Sequence, residues 1–226
     1  TMNIKTCVLA ILMAATHAGS ALAEDAAGHW IGAVKTPIGV ELTIAAHLTP
    51  KAGGGLEGYA ESPDQVLTPL PLTDVKATPE TLGFTINQVK ATFAGTWEPQ
   101  ARSWVGVPAP NGLALPLRLW RGLAPPRPVV AGLDGDWAGK ITSPQGDLRI
   151  LVHVKTGKDG TLALLESPDQ TPAQLVAFLT HQNDSVSVTL RGIGGFFGKL
   201  SADGKVMEGE WRQGGAATPL TLKRKG

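Results

Sequence analysis

The chain repeats itself, and that constrains its fold more than any single motif does. Gly28-His29-Trp30-Ile31-Gly32 corresponds to Gly135-Asp136-Trp137-Ala138-Gly139. Leu42, Ile44, His47 and Leu48 correspond to Leu148, Ile150, His153 and Val154, and Glu61-Ser62-Pro63-Asp64-Gln65 recurs unchanged as Glu166-Ser167-Pro168-Asp169-Gln170. Later, Gly95 matches Gly198 and Gly106 matches Gly209, and the copies end alike, from Leu115-Pro116-Leu117 to Arg121 and from Thr218-Pro219-Leu220 to Arg224. The offset drifts from 107 to 103 residues, which places small deletions in turns. Two modules of one architecture follow, at 24–121 and 133–226. The stretch 122–132 between them is opened by Gly122-Leu123-Ala124-Pro125-Pro126-Arg127-Pro128 and reads as a semi-extended linker.

Each copy reads as strands. Val40, Leu42, Ile44, Ala46 and Leu48 alternate at period two, as do Leu148, Ile150, Val152 and Val154, and Val186, Val188 and Leu190. Asp159-Gly160 and Asp203-Gly204 stand between alternating runs, a hairpin signal. Outside the first 23 residues no long window carries a 3.6-residue stripe. The segment from Thr171 to Leu179 fits either one helical turn or a buried strand. Seven or eight short strands per copy are enough to close a small antiparallel barrel, which removes exposed sheet edges.

Residues 1–23 read as a secretory signal. Lys5 supplies the positive start, Cys7 to Ala15 a short apolar core, and Ala21-Leu22-Ala23 the cleavage site. The apolar stretch is too short to span a bilayer, and Cys7 precedes most of it, which is the wrong order for lipidation. Thr1 ahead of Met2 is set aside as an extension. Cleavage leaves no cysteine, hence no disulfide, and balances 19 basic against 19 acidic residues. The expected address is the bacterial periplasm or the medium, without stable membrane insertion after cleavage. The balanced charge argues against a nucleic-acid partner.

Each copy opens on Gly-x-Trp and closes on an arginine of its last strand, pairing Trp30 with Arg121 and Trp137 with Arg224. This resembles the lipocalin, fatty-acid-binding-protein and avidin group of up-and-down barrels. The resemblance implies that the guanidinium stacks on the indole and caps free carbonyls at the barrel end, a structural rather than a ligand-binding role. A second resemblance covers nearly all of the chain after residue 23. The run Gly-x-Trp-x-Gly, an alternating strand, Asp-Gly-x-Leu, Ser-Pro-Asp-Gln, Gly-x-Trp-x-Gln-Gly-Gly and Pro-Leu-x-Leu-x-Arg is similar to a small β module found ahead of secreted bacterial α/β-hydrolase domains. The second copy carries it in full, through Gly209-Glu210-Trp211-Arg212-Gln213-Gly214-Gly215. The first departs from it: Pro108 replaces Trp211, and Pro110-Asn111-Gly112 replaces the Gln-Gly-Gly.

A search for catalytic chemistry finds little. There is no Gly-x-Ser-x-Gly elbow and no Ser-x-x-Lys. His29, His47, His153 and His181 lack zinc-ligand spacing, and no metal or other cofactor is expected. His47 and His153 stand between inward-pointing residues and should face outward. Ser62, Asp64 and Gln65, with Ser167, Asp169 and Gln170, suit a turn in which Pro, Ser and Asp fold onto their own backbone. They are also, with Trp211, the candidates for the rim of a binding site. Gly192 to Gly198 follows a strand but precedes no helix, so it reads as barrel bends with Phe196 and Phe197 in the core.

Three functional readings remain. One is a non-catalytic module holding a small apolar or amphipathic ligand in a barrel. The second is a protein-interaction or accessory module working with an exported hydrolase. The third is an enzyme of a type that uses none of these motifs. A hollow, open-mouthed barrel would favour the first, and a filled barrel with a patch of exposed aromatics the second.

Overall fold

A computed structural model describes residues 26–109, 114–143 and 146–226. The signal segment and Pro110-Asn111-Gly112 lie outside the described residues. By internal contacts the chain divides into two units. Of the described residues, one takes in 26–34 with those of Ile44–Glu61 and Pro69–Leu123, and the other those of Lys35–Thr43, Ser62–Thr68 and Ala124–Gly226.

The first copy is a nine-stranded antiparallel sheet: β1 (Gly28–Lys35), β2 (Glu41–Pro50), β3 (Leu56–Ser62), β4 (Val66–Pro71), β5 (Thr73–Ala77), β6 (Thr81–Ile86), β7 (Ala91–Glu98), β8 (Ser103–Gly106) and β9 (Leu117–Arg121). The second is a closed antiparallel barrel of eight: β10 (Gly135–Ser143), β11 (Gly146–Gly157), β12 (Gly160–Ser167), β13 (Thr171–Gln182), β14 (Ser185–Leu190), β15 (Gly194–Leu200), β16 (Val206–Gln213) and β17 (Ala216–Arg224). The all-β reading with two barrel-like antiparallel sheets is the architecture observed, the second closed with eight strands and the first nine-stranded and short of closure, since β4 and β5 at its ends do not pair.

The extra strand is a broken one. The twelve residues of β13 form one continuous strand that pairs with β12 through Thr171 and Leu175 to Ala177 and with β14 through Phe178 to Gln182. Their counterparts, residues 66–77, are split at Leu72. The half β4 lies beside β3, the half β5 beside β6, and the sheet order runs β4-β3-β2-β1-β9-β8-β7-β6-β5. Pro69 and Pro71 explain the break: proline offers no N–H to a ladder and is confined to edges and irregularities. Asp74 then takes a left-handed backbone (φ 51°), and the β5–β6 register shifts between Thr73 and Lys76.

Alternation decides what is buried. Along β12 every second residue faces the interior, and β14 does the same with Val186, Val188 and Leu190. The segment Thr171 to Leu179 is strand, part of β13. Of the phenylalanine pair, Phe196 is buried, but Phe197 is exposed beneath the Arg212 guanidinium, 5.1 Å from its ring centre. The sequence expectation of both rings in the core is corrected by strand parity: adjacent residues on β15 point to opposite faces. The spaced glycines also find a reason. A Cβ at Gly95 would lie 2.6 Å from the Phe93 ring, and one at Gly198 2.5 Å from the Phe196 ring.

Gly214 and Gly215 (φ 57° and 84°) form the two-residue turn between β16 and β17, where both positions need a left-handed backbone. The Pro-rich stretch before β10 runs against β12: Arg127 N donates to Asp159 O (3.0 Å) and Thr161 N to Pro128 O (3.1 Å). Leu133, just after it, is fully buried in the second core.

Candidate functional site

The two copies share one closed end. In the second, Trp137 pairs in register with Arg224, whose guanidinium carbon sits 4.5 Å from the indole centre. The indole Nε1 donates to Leu133 O (2.8 Å), and Arg224 donates to Asp134 O and Gly132 O, both at 2.7 Å. In the first copy Trp30 pairs with Arg121 at 4.6 Å, the indole donates to Ala26 O (2.8 Å), and Arg121 donates to Ala27 O (2.8 Å). Both indoles are essentially inaccessible. Gly28 and Gly135 both have φ near +120°, and a Cβ at Gly28 would stand 2.6 Å from the Arg121 guanidinium. The Gly-x-Trp pair thus serves the lid as much as the plug.

The opposite end of the second barrel is open, and a cavity of about 320 Å³ lies there. Antiparallel order gathers its walls: the end of β10, start of β11, end of β12, start of β13, end of β14, end of β16 and start of β17 all meet away from Trp137. Ile141, Leu148, Ile150, Leu165, Leu175 and Leu190 make it apolar, with Trp211 as one wall. Ser167, Gln170, Thr171, Gln213 and Thr218 supply its polar groups. Deeper in, Val152, Val154, Met207 and Leu222 fill the barrel down to the tryptophan plug. The barrel is therefore filled at one end and hollow at the other.

The rim candidates separate cleanly. Ser167, Gln170 and Trp211 line the cavity. Asp169 does not: its carboxylate accepts from Arg149 N (2.7 Å) and from the Arg149 guanidinium (2.6 Å). Those hydrogen bonds hold the Asp169 carboxyl below the usual carboxylate range and raise Arg149. Trp211 donates its indole N–H to Gln213 Oε1 (3.0 Å), which leaves the Gln213 NH2 as a donor. The Ser167 hydroxyl is buried without a protein partner.

In the first copy the same turn is closed on itself. Ser62 donates to Gln65 Oε1 (2.9 Å), with Thr43 O 3.3 Å away as a second acceptor, and Asp64 accepts from Thr43 N (2.8 Å). The Asp contact to the facing strand is thus common to both copies, and the Ser–Gln contact is not. A shift of the β12–β13 register between Leu165 and Ser167 accompanies the open arrangement.

Sequence reasoning passed over Gln213 and Thr218. Gln213 lies two residues beyond Trp211 and so shares its inward face, a signal present in the motif itself. It also passed over an outer-face group repeated in both copies. His47 Nδ1 meets His29 Nδ1 at 2.5 Å and its Nε2 meets Glu61 at 3.2 Å, and His47 stacks on Tyr59. In the second copy His153 Nδ1 meets Asp136 (2.7 Å), while its Nε2 stands 3.4 Å from Glu166. These groups lie on strand positions opposite in parity to the cavity wall. Among the described residues no cluster of histidine, cysteine or acidic side chains is arranged to hold a metal ion, and no helix is long and apolar enough to cross a membrane.

The fold and its open end define a tandem antiparallel β-barrel protein with a cavity built into the second barrel. A scan of protein-family models finds no match, and neither does a search of curated proteins. Among solved structures the chain is similar to a protein of unknown function of the DUF3598 family from Nostoc punctiforme, at 12% identity over 90% of this chain and 98% of that one, with a TM-score of 0.26. It is also similar to an AttH candidate from Nitrosomonas europaea, at 12% identity over 86% and 90% of the two chains, with a TM-score of 0.22.

Proposed function

We propose that the chain is an exported, non-catalytic binding protein whose second barrel holds a small amphipathic ligand. The observation that carries this reading is the cavity of about 320 Å³, apolar in its walls and polar at Ser167, Gln170 and Gln213. Ligand sites are typically concave, mostly apolar and oriented by a few polar groups, with volumes of about 300 Å³ upward. Export rests on the charged start, apolar core and Ala-x-Ala of residues 1–23. Amino-terminal sequencing of the periplasmic protein should read Glu24 first.

Native mass spectrometry of the purified protein, before and after organic extraction, tests the binding reading. A discrete extra mass that extraction removes supports it. A bare chain that stays bare after incubation with a lipid and metabolite mixture contradicts it.

A second reading, an accessory module for an exported partner such as a hydrolase, draws support from the first copy. Trp97, Trp104 and Trp120 line a hollow of about 550 Å³ there, and Trp120 is about half exposed. If that reading holds, Trp120→Ala should abolish co-purification of a discrete protein partner from the periplasm.

A further inference from the structure

The cavity's chemistry narrows the ligand. Among its described lining residues there is no lysine, arginine, histidine, aspartate or glutamate. Arg149 at the same end is committed to Asp169, and Arg212 stacks on Phe197 outside. A carboxylate or phosphate entering this cavity would leave water with no counter-charge to meet it, which costs far more than burying a neutral amide or hydroxyl that finds hydrogen bonds. The polar groups on offer are neutral and suit a neutral head. The Ser167 hydroxyl can both donate and accept, and Gln213 presents its NH2 because Trp211 already occupies its oxygen.

Ser167 is the sharpest indicator. It is 7% exposed, lines the cavity, and its Oγ has no protein partner. Buried hydroxyls are normally bonded. Its own repeat partner shows what the turn does when it is purely structural: there Ser62 bonds Gln65. In the second copy the corresponding Gln170 turns to the cavity instead. At about 30 Å³ per water-sized group, 320 Å³ takes roughly ten such groups.

Resting on the binding reading above, we propose that the second barrel selects an uncharged, short-chain amphiphile of about ten heavy atoms, its amide, ester or alcohol head hydrogen-bonded to Ser167 and its chain against Leu148, Leu165 and Leu190. The test is a matched pair of probes, octanamide and octanoate, titrated calorimetrically into the full mature chain at pH 8. Octanamide should bind on the order of tenfold or more tighter than octanoate, and the gap should narrow towards pH 4, where a carboxylic acid takes up its proton. S167A should weaken octanamide by roughly 3–10-fold, the range of one lost hydrogen bond, with melting temperature unchanged. Octanoate binding as well as or better than octanamide at pH 8 would overturn the neutral-head assignment and leave the cavity reading standing. S167A binding octanamide as tightly as the parent would also overturn the assignment. If neither probe binds at millimolar concentration, the cavity reading itself fails.

Discussion

The two copies share the Trp–Arg closure at one end and differ at the other. At the closed end, Trp30 under Arg121 and Trp137 under Arg224 agree in register, stacking distance and carbonyl partners. At the far end, the second copy keeps a continuous β13 and an eight-residue β16, and its barrel closes around a cavity. The first copy has a split fourth strand, and β8 stops after four residues, short of Pro108. Its Ser62–Gln65 pair is satisfied internally. The same sequence frame therefore supports a self-contained turn or a cavity rim, and prolines in the neighbouring strands go with the first outcome. The repeated Ser-Pro-Asp-Gln specifies the turn, through Asp and the facing strand, and leaves the serine to be used or not.

The largest expected effect lies at the closed ends common to both copies. Trp30→Ala and Trp137→Ala should each cost about 3–5 kcal/mol, as expected for removing a large buried ring, and chemical denaturation should find them alike. A loss confined to one copy would mean that the closed ends are not equivalent. The next contrast is at the turn. Ser62→Ala should destabilise by about 1 kcal/mol through its lost hydrogen bond, whereas Ser167→Ala should leave stability of the ligand-free protein unchanged, because its hydroxyl has no partner to lose. Hydrogen exchange should resolve the split strand: amides of residues 66–77 should exchange faster than those of 171–182, since Pro69 and Pro71 interrupt the first ladder. Equal protection would refute the account of the break.

The smallest effect is electrostatic. Asp169 has a folded carboxyl held below its ordinary range by Arg149, so its contribution is present above the unfolded pKa and is lost as pH falls through the folded value. Melting temperatures of Arg149→Ala and the parent should therefore converge as pH drops below about 4, with a small deficit in the variant at neutral pH. A deficit that persists or grows in acid would contradict the assignment.

Much of this was legible in the sequence because strand parity is a local property. Val152 and Val154 face inward and His153 outward with no help from tertiary structure, and the Gly-x-Trp with its distant arginine marked the closed end. The rim was partly legible: Ser167, Gln170 and Trp211 were singled out, and their convergence depends only on antiparallel order. What escaped depended on register and on side-chain partners. Whether Ser167 bonds Gln170, as Ser62 bonds Gln65, is not announced by residue type; beside Ser167 the β12–β13 register shifts by two residues, the extra ones on β13. Phe196 and Phe197 were treated as a pair although adjacent strand residues cannot share a face. The break in the first copy's fourth strand was written in Pro69 and Pro71, but the effect on closure required knowing which strands lie on either side.

Methyl NMR during an octanamide titration tests whether the second barrel alone takes up the probe. Shifts are expected at Ile141, Leu165, Leu175 and Leu190, which line the cavity, and none at Leu48, Leu82 and Leu119, which pack the first copy's core. Shifts at the first copy's methyls, or in both sets equally, would contradict uptake by the second barrel alone.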